Sequence, residues 1–187
     1  MNFLIIILSY FLGSVNFAYI TARIKGIDIS SSGSGNPGTS NVLRTLGKGS
    51  AAIVLIGDLL KGAIPVIFFS EDQYFLLYGV AAVLGHIYPV FYKFKGGKGV
   101  ATYLGIILAL SFTFGIIFSL TWLLISFIFK YSSLASMIAA LTVFAYSIIL
   151  DNNTLSIFLF ITFIIILYTH RENIIRLKDS KETKIKL

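Results

Sequence analysis

Seven apolar stretches, roughly 3–22, 50–69, 74–92, 100–110, 112–129, 133–150 and 154–169, take up most of this chain. Five of them approach the ~20 residues with which an α-helix crosses the hydrocarbon core of a bilayer. A soluble domain of 187 residues could not hide so much apolar surface, at 57% hydrophobic and 12% charged residues and a mean hydropathy of +0.90. The bilayer is therefore the solvent. The expected fold class is all-α, a polytopic membrane helical bundle forming a single domain over residues 1–187. The first stretch lacks the basic start of a signal peptide, and Arg23 and Lys25 follow it instead. It reads as a retained first span with the N-terminus outside.

The stretch from Ala101 to Phe129 is long for one helix and short for two, and charge decides between them. Two helices turning near Ser111 give seven spans. Glu71, Asp72 and Asp151 then fall on the outside, and fourteen of the fifteen Lys and Arg fall inside, Lys61 alone lying within a span. That is the positive-inside pattern. One helix would put Lys130 and the basic tail on the wrong side. The expected arrangement is seven spans, N-terminus out and C-terminus cytoplasmic, with one short helix near 98–110 that needs tilt or shielding. The net charge of +7 reports these inner loops rather than nucleic acid. The tail after Thr169 is expected along the cytoplasmic face or frayed.

In this topology spans two, four and six all begin on the cytoplasmic face. They are preceded by SGSGNPGTSNVLRTLGKGS, FKGGKGVAT and KYSSLAS, each rich in Gly or Ser and each carrying a basic residue. Helix N-termini present unpaired N–H groups and the positive end of the dipole. Glycine lets the backbone approach a ligand closely. Such starts suit phosphate. Span seven brings THRENIIRL to the same face, with His170 and Asn173 three residues apart.

GSGNPGTSNVLR (33–44), GHIYPVFYKFKGGKGVAT (85–102) and THRENIIRL (169–177) closely resemble the three signature stretches of the bacterial acyl-phosphate:glycerol-3-phosphate acyltransferases. The resemblance covers essentially the whole chain. It implies a seven-helix enzyme of phospholipid synthesis in the bacterial cytoplasmic membrane, its active site facing the cytoplasm. It implies acyl transfer from acyl phosphate to the 1-hydroxyl of glycerol-3-phosphate, with no cofactor, no metal and no required protein partner. The family lacks an HX4D motif, and neither histidine here has Asp five residues on. Where the family commonly has Ala in a GATN-like run, this chain reads GTSN at 38–41.

On that resemblance Lys98 and Arg44 are the foremost phosphate binders, with Gly96, Gly97, Gly99 and Gly35 supplying backbone. Ser34, Asn36, Thr39 and Asn41 are candidates for hydrogen bonds to substrate; turn chemistry, with Ser40 or Asn41 capping a helix, competes. Ser133 and Ser136 match family serines at the start of span six, where capping and packing compete. Lys48, Lys93 and Lys95 read as anchors. The catalytic set is His170, Asn173, Lys98 and Ser34. No carboxylate but Glu172 is near His170 in sequence, and Glu172 points elsewhere on a helix. A Ser–His–Asp triad is therefore not expected, and the expectation is substrate-assisted attack positioned by His170 and Asn173. Asp58 and Lys61 read as a structural i,i+3 pair within span two. His86 reads as a buried histidine with a competing claim on function through GHIYP.

Three other chemistries are excluded. Gly33, Gly35 and Gly38 spell G-x-G-x-x-G, but no parallel-sheet strand precedes them. GGKG lacks the Ser or Thr that a P-loop places after Lys. With no cysteine there is no thiolate nucleophile and no Cys metal site, and two histidines do not make a His-rich one. A transporter of a phosphorylated solute is the main rival, although its anion sites would be expected near the midplane.

Overall fold

The structure, a computed structural model, describes residues 2–150 and 153–185. Asp151, one of the three acidic residues expected outside, lies beyond the described residues. The described residues form ten α-helices and one short 3-10 turn, with no strand. They divide into two compact units, Met1–Leu110 and Ser111–Leu187.

The first unit contains α1 (Phe3–Ser14), α2 (Phe17–Ile24), α3 (Thr39–Leu46), α4 (Lys48–Phe68), α5 (Phe75–Ile87), a 3-10 turn (Val90–Tyr92) and α6 (Val100–Leu110). Helix α1 packs on α5, and α4 packs on α6 and α5. In the second unit α7 (Phe112–Phe129) packs on α8 (Ser132–Ile149), α8 packs on α9 (Asn153–Thr169), and α10 (Arg171–Lys178) follows.

Large apolar side chains point outward, among them Ile53, Ile56, Ile67, Leu124 and Phe127, while Ser9, Ser14, Ser126 and Ser147 are buried. This is the packing of a membrane protein. Lipid solvates the large side chains, and small residues let backbones approach. The closest approaches rest on glycine. A Cβ on Gly13 would fall on the Ala82 carbonyl and one on Gly85 on the Tyr10 carbonyl, which locks α1 to α5. Likewise Gly62 faces the Thr102 carbonyl and Gly105 the Leu59 carbonyl, which locks α4 to α6.

Five stretches are long and apolar enough to cross a membrane: Phe3–Ile24, Lys48–Phe68, Phe75–Tyr92, Phe112–Phe129 and Ser132–Ile149. The α9–α10 pair makes a sixth if its 59° bend lies within one span. Helix α6 is apolar but has 11 residues. At ~1.5 Å per residue it covers about 16 Å, roughly half the hydrocarbon core.

The break expected near Ser111 falls at that residue, whose backbone is extended (φ −162°, ψ 126°) between α6 and α7. The first span differs from expectation. It is not one helix but two, interrupted at Val15–Asn16. The Asn16 side chain accepts from the Ala18 and Tyr19 N–H groups at 3.1 Å each and so caps α2. A buried amide in place of one more apolar residue is enough to restart the helix. The third span keeps its expected extent, Phe75–Tyr92, but its α-helix stops at Ile87, two residues before Pro89, whose ring disfavours helical backbone at Tyr88, and the 3-10 turn Val90–Tyr92 completes it.

The tail does not fray through Ile185. After α10 the chain turns at Ser180 (φ 58°), and the Ile185 N–H donates to the Lys130 carbonyl at 2.8 Å. Lys184 lies over the Tyr131 ring.

Gly105→Ala drives a methyl into the Leu59 carbonyl and is expected to cost about 1–3 kcal/mol, in the range of overpacked cores. Gly49→Ala, at a helical position with open space around it, is expected to be neutral or stabilising by up to about 1 kcal/mol. Thermal unfolding of both variants in one detergent checks the contrast.

Candidate active site

The polar strip at 28–41 is first of all a self-satisfied turn. Asp28 organises its beginning. Its carboxylate accepts from the Ser30 N–H (2.9 Å), the Ser30 hydroxyl (2.6 Å) and the Ser31 hydroxyl (3.1 Å), and its carbonyl accepts from the Ser32 hydroxyl (2.7 Å). The bonds from Ser30 and Ser31 hold the Asp28 carboxyl below its ordinary value. Ser30, Ser31 and Ser32 thus serve the loop.

Asn41 closes the strip from α3. Its Oδ1 accepts from the Ser34 N–H and its Nδ2 donates to the Ser32 carbonyl, each at 2.9 Å. Asn41 is not a cap, and neither is Ser40. Gly38 holds the N-cap position, and Asn41 lies inside the helix as a brace that reaches back over the loop. The arrangement requires glycine at 33, where φ is +59° and a side chain would strike the Asn41 amide. At Gly35 φ is +72° and the N–H donates to the Ser32 carbonyl. An apolar cluster of Ala18, Ala22, Ile29, Val42, Ala51 and Val54 backs the loop. Ser34 and Arg44 are exposed at its surface, and Asn36 and Thr39 are half-buried. The Thr39 hydroxyl is buried without a hydrogen-bond partner among the described residues.

The GGKG stretch lies along the end of α5. Gly96 N–H donates to the Ile87 carbonyl and Gly97 N–H to the His86 carbonyl, each at 3.1 Å. These two amides, expected to cradle phosphate, are engaged within the fold, so Gly96 and Gly97 act by allowing close approach. A Cβ at Gly97 would fall on His86 Nε2 and would lie 3.0 Å from the Pro37 carbonyl oxygen. The two glycine-rich stretches therefore meet at Gly97 and Pro37. Lys98 follows, half-buried, and Gly99 takes φ +80° where α6 begins. A cavity of about 610 Å³ opens beside this junction. Gly35, Pro37, Gly96, Lys93 and Lys95 are in its wall, with Tyr19 stacked on Tyr92 at 4.5 Å between ring centroids. Lys93 and Lys95, read from sequence as anchors, thus also line a concave surface.

In the second unit His170 stands at the bend between α9 and α10 and is 2% exposed. Its Nδ1 lies 2.8 Å from the Ile166 carbonyl. A carbonyl only accepts, so Nδ1 carries the proton, and in the neutral ring Nε2 is an acceptor. Asn173, one turn on, is 5% exposed. Glu172 is exposed, as expected, and pairs loosely with Arg176 at 3.9 Å.

The carboxylate that organises this region is Glu182, which no sequence pattern singled out. Glu182 Oε1 accepts from Asn173 Nδ2 (2.6 Å) and from the Ser133 hydroxyl (2.8 Å), and Oε2 accepts from Arg176 Nε (2.8 Å). Burial pushes its carboxyl up, but the bonds from Asn173, Arg176 and Ser133 outweigh burial and hold it below its ordinary value. Ser136 is tied to packing: its hydroxyl donates to the Ser132 carbonyl (2.8 Å) and accepts from Trp122 Nε1 (3.1 Å). Among the described residues no group of three or more His, Cys, Asp or Glu is placed to hold a metal ion.

Residues 3–180 match the family described as glycerol-3-phosphate acyltransferase. The chain belongs to the glycerol-3-phosphate acyltransferase family. It is 44% identical to the glycerol-3-phosphate acyltransferase of Pelagibacter ubique, with the whole of both chains covered. It is 46% identical to that of Legionella pneumophila, over 97% of this chain and 68% of the other. Its fold matches two crystal structures of PlsY (YgiH), an integral membrane glycerol 3-phosphate acyltransferase, in the glycerol 3-phosphate form and in the lysophosphatidic acid form. Both are 38% identical over 98% of this chain and 95% of theirs, with TM-scores of 0.94 and 0.92. This protein is accordingly an integral membrane acyltransferase.

In this acyltransferase, Glu182→Gln is expected to lower stability by about 2 kcal/mol, since three donors lose a charged acceptor. Because the folded carboxyl titrates below the unfolded value of ~4.3, its contribution is present above that value and lost as pH falls through the folded one. Tm followed from pH 7 to pH 3 is expected to fall more steeply below about pH 4 in the wild type than in Glu182→Gln.

Proposed function

We propose that the protein transfers a fatty acyl group from acyl phosphate to the 1-hydroxyl of glycerol-3-phosphate, releasing lysophosphatidic acid and phosphate. The observation that carries this reading is the pair of solved relatives, one the glycerol 3-phosphate form and one the lysophosphatidic acid form, which match nearly the whole chain. They stand at the two ends of such a reaction. The acyl phosphate donor rests on the likeness of the three glycine-rich and histidine-containing stretches to enzymes that use it. The proposed setting is seven spans in the bacterial cytoplasmic membrane, with the N-terminus outside and the polar helix starts facing the cytoplasm. The positive-inside distribution of Lys and Arg supports that orientation.

The proposed chemistry is a direct attack. The glycerol hydroxyl oxygen bonds to the acyl carbonyl carbon, the bond from that carbon to the phosphate oxygen breaks, and phosphate departs with the hydroxyl proton. The leaving group is then its own base. Lys98 and Arg44 bind phosphate, Arg44 with a guanidinium suited to bidentate contact. Ser34, presented by the Asn41-braced loop, donates to a phosphate oxygen. His170 offers an acceptor nitrogen to the attacking hydroxyl, and Asn173, held by Glu182, orients the same substrate. The His170 Nδ1, which a triad would turn toward a carboxylate, faces the Ile166 carbonyl at 2.8 Å, and Glu172 turns to Arg176. This favours orientation over a triad.

Purified protein in detergent, offered glycerol-3-phosphate with acyl phosphate or with acyl-CoA, is expected to release product with acyl phosphate alone. Turnover with acyl-CoA would overturn the donor. No turnover with either, in protein that still binds glycerol-3-phosphate, would favour the transporter. His170→Gln is expected to keep more than about a tenth of the rate, because general-base catalysis contributes ~10²-fold or more. A larger loss would restore His170 as the base. Lys98→Ala is expected to raise KM for glycerol-3-phosphate about tenfold or more, the worth of a charge-assisted hydrogen bond.

A further inference from the structure

Three ionisable residues are buried inside the first unit: Asp58 and Lys61 on α4 and His86 on α5, exposed by 1%, 1% and 3%. None has a part in the chemistry above. Buried charges within a membrane span are costly and are retained for a reason. Lys61 Nζ lies 2.8 Å from Asp58 Oδ1 and donates to the Val15 carbonyl at 2.8 Å. His86 Nδ1 faces the same Asp58 oxygen at 3.6 Å, an electrostatic contact rather than a hydrogen bond.

The other edge of the imidazole faces the GGKG stretch. Nε2 occupies the place where a Gly97 side chain would be, and the His86 carbonyl holds the Gly97 N–H at 3.1 Å. His86 therefore meets Gly97 twice, with a backbone hydrogen bond and with a ring packed so close that only glycine fits beside it. Lys98 is the next residue.

We propose that His86, held from behind by the Asp58–Lys61 pair, is a positioning residue that seats Gly97 and so sets where Lys98 presents its ammonium to the glycerol-3-phosphate phosphate. The proposal rests on the reading of Lys98 as a phosphate binder. It differs from a purely structural role, in which His86 would only partner Asp58 within the helix packing. The two roles use different ring atoms. Positioning uses the Nε2 edge against Gly97, and partnering uses Nδ1 against Asp58.

Two substitutions separate them. His86→Asn places a polar group near the Nδ1 position and removes the far edge of the ring. His86→Gln reaches the Nε2 position. Each variant is purified in detergent, its thermal unfolding is recorded, and its Kd for glycerol-3-phosphate is measured by calorimetry beside wild type and Lys98→Ala. The expected result is a Kd within about twofold of wild type for His86→Gln and raised about fivefold or more for His86→Asn. Equal Kd values for the two variants, whether both unchanged or both raised, or weaker binding by His86→Gln, would overturn the proposal. Lys98→Ala reports on the underlying reading separately. An unchanged Kd there would remove the phosphate role of Lys98 itself, whereas a raised Kd with His86 variants alike would sink the positioning role alone.

Discussion

The first unit is organised around one ammonium group. Lys61 sits inside a membrane-spanning helix, bonded to Asp58 and to the Val15 carbonyl. A helix that breaks within a membrane protein leaves main-chain groups unpaired where water cannot reach them. Here the break at Val15–Asn16 is served from both sides: Lys61 takes a carbonyl, and Asn16 caps the restarted helix. The ion pair in turn lies against His86, and His86 against Gly97. A local need of the backbone, met deep in the unit, is thus connected to the polar segment that carries Lys98.

A second constraint is that the polar loops must satisfy their own hydrogen bonds. Most of the loop chemistry is consumed internally. Ser30, Ser31 and Ser32 satisfy Asp28, Asn41 braces positions 32 and 34, and Gly96 and Gly97 give their N–H groups to the end of α5. On this framework Ser34 and Arg44 are exposed and Lys98 is half-buried, the three groups proposed above to meet phosphate. In the second unit Glu182 does for Asn173 and Ser133 what Asn41 does for the loop. Rigid support of this kind is what a reaction needs when its rate comes from aiming a hydroxyl at a carbonyl.

Much of this was legible in the sequence, for identifiable reasons. Long apolar runs mark membrane helices by length alone, and the asymmetry of Lys and Arg argued for the break at Ser111. The Asp58–Lys61 pair was legible from its i,i+3 spacing. The break at Asn16 was not, because a single amide among apolar neighbours leaves periodicity and charge unchanged. The role of Asn41 was missed since its partners lie seven and nine residues upstream, and helix capping is the more local use of an Asn in that place. Glu182 was hidden in a tail of alternating charges, and only the return of the chain to the Lys130 carbonyl brings it onto Asn173.

The most direct test of Lys61 as the group on which the first unit depends is a double-mutant cycle with Asp58→Asn and Lys61→Met, read by unfolding in a single detergent. Each single variant leaves a buried charge unmatched and is expected to cost about 3–5 kcal/mol. The double variant is expected to cost clearly less than the two together. Additive losses, or a Lys61→Met variant as stable as wild type, would contradict a coupled buried pair and leave the broken first span without its support.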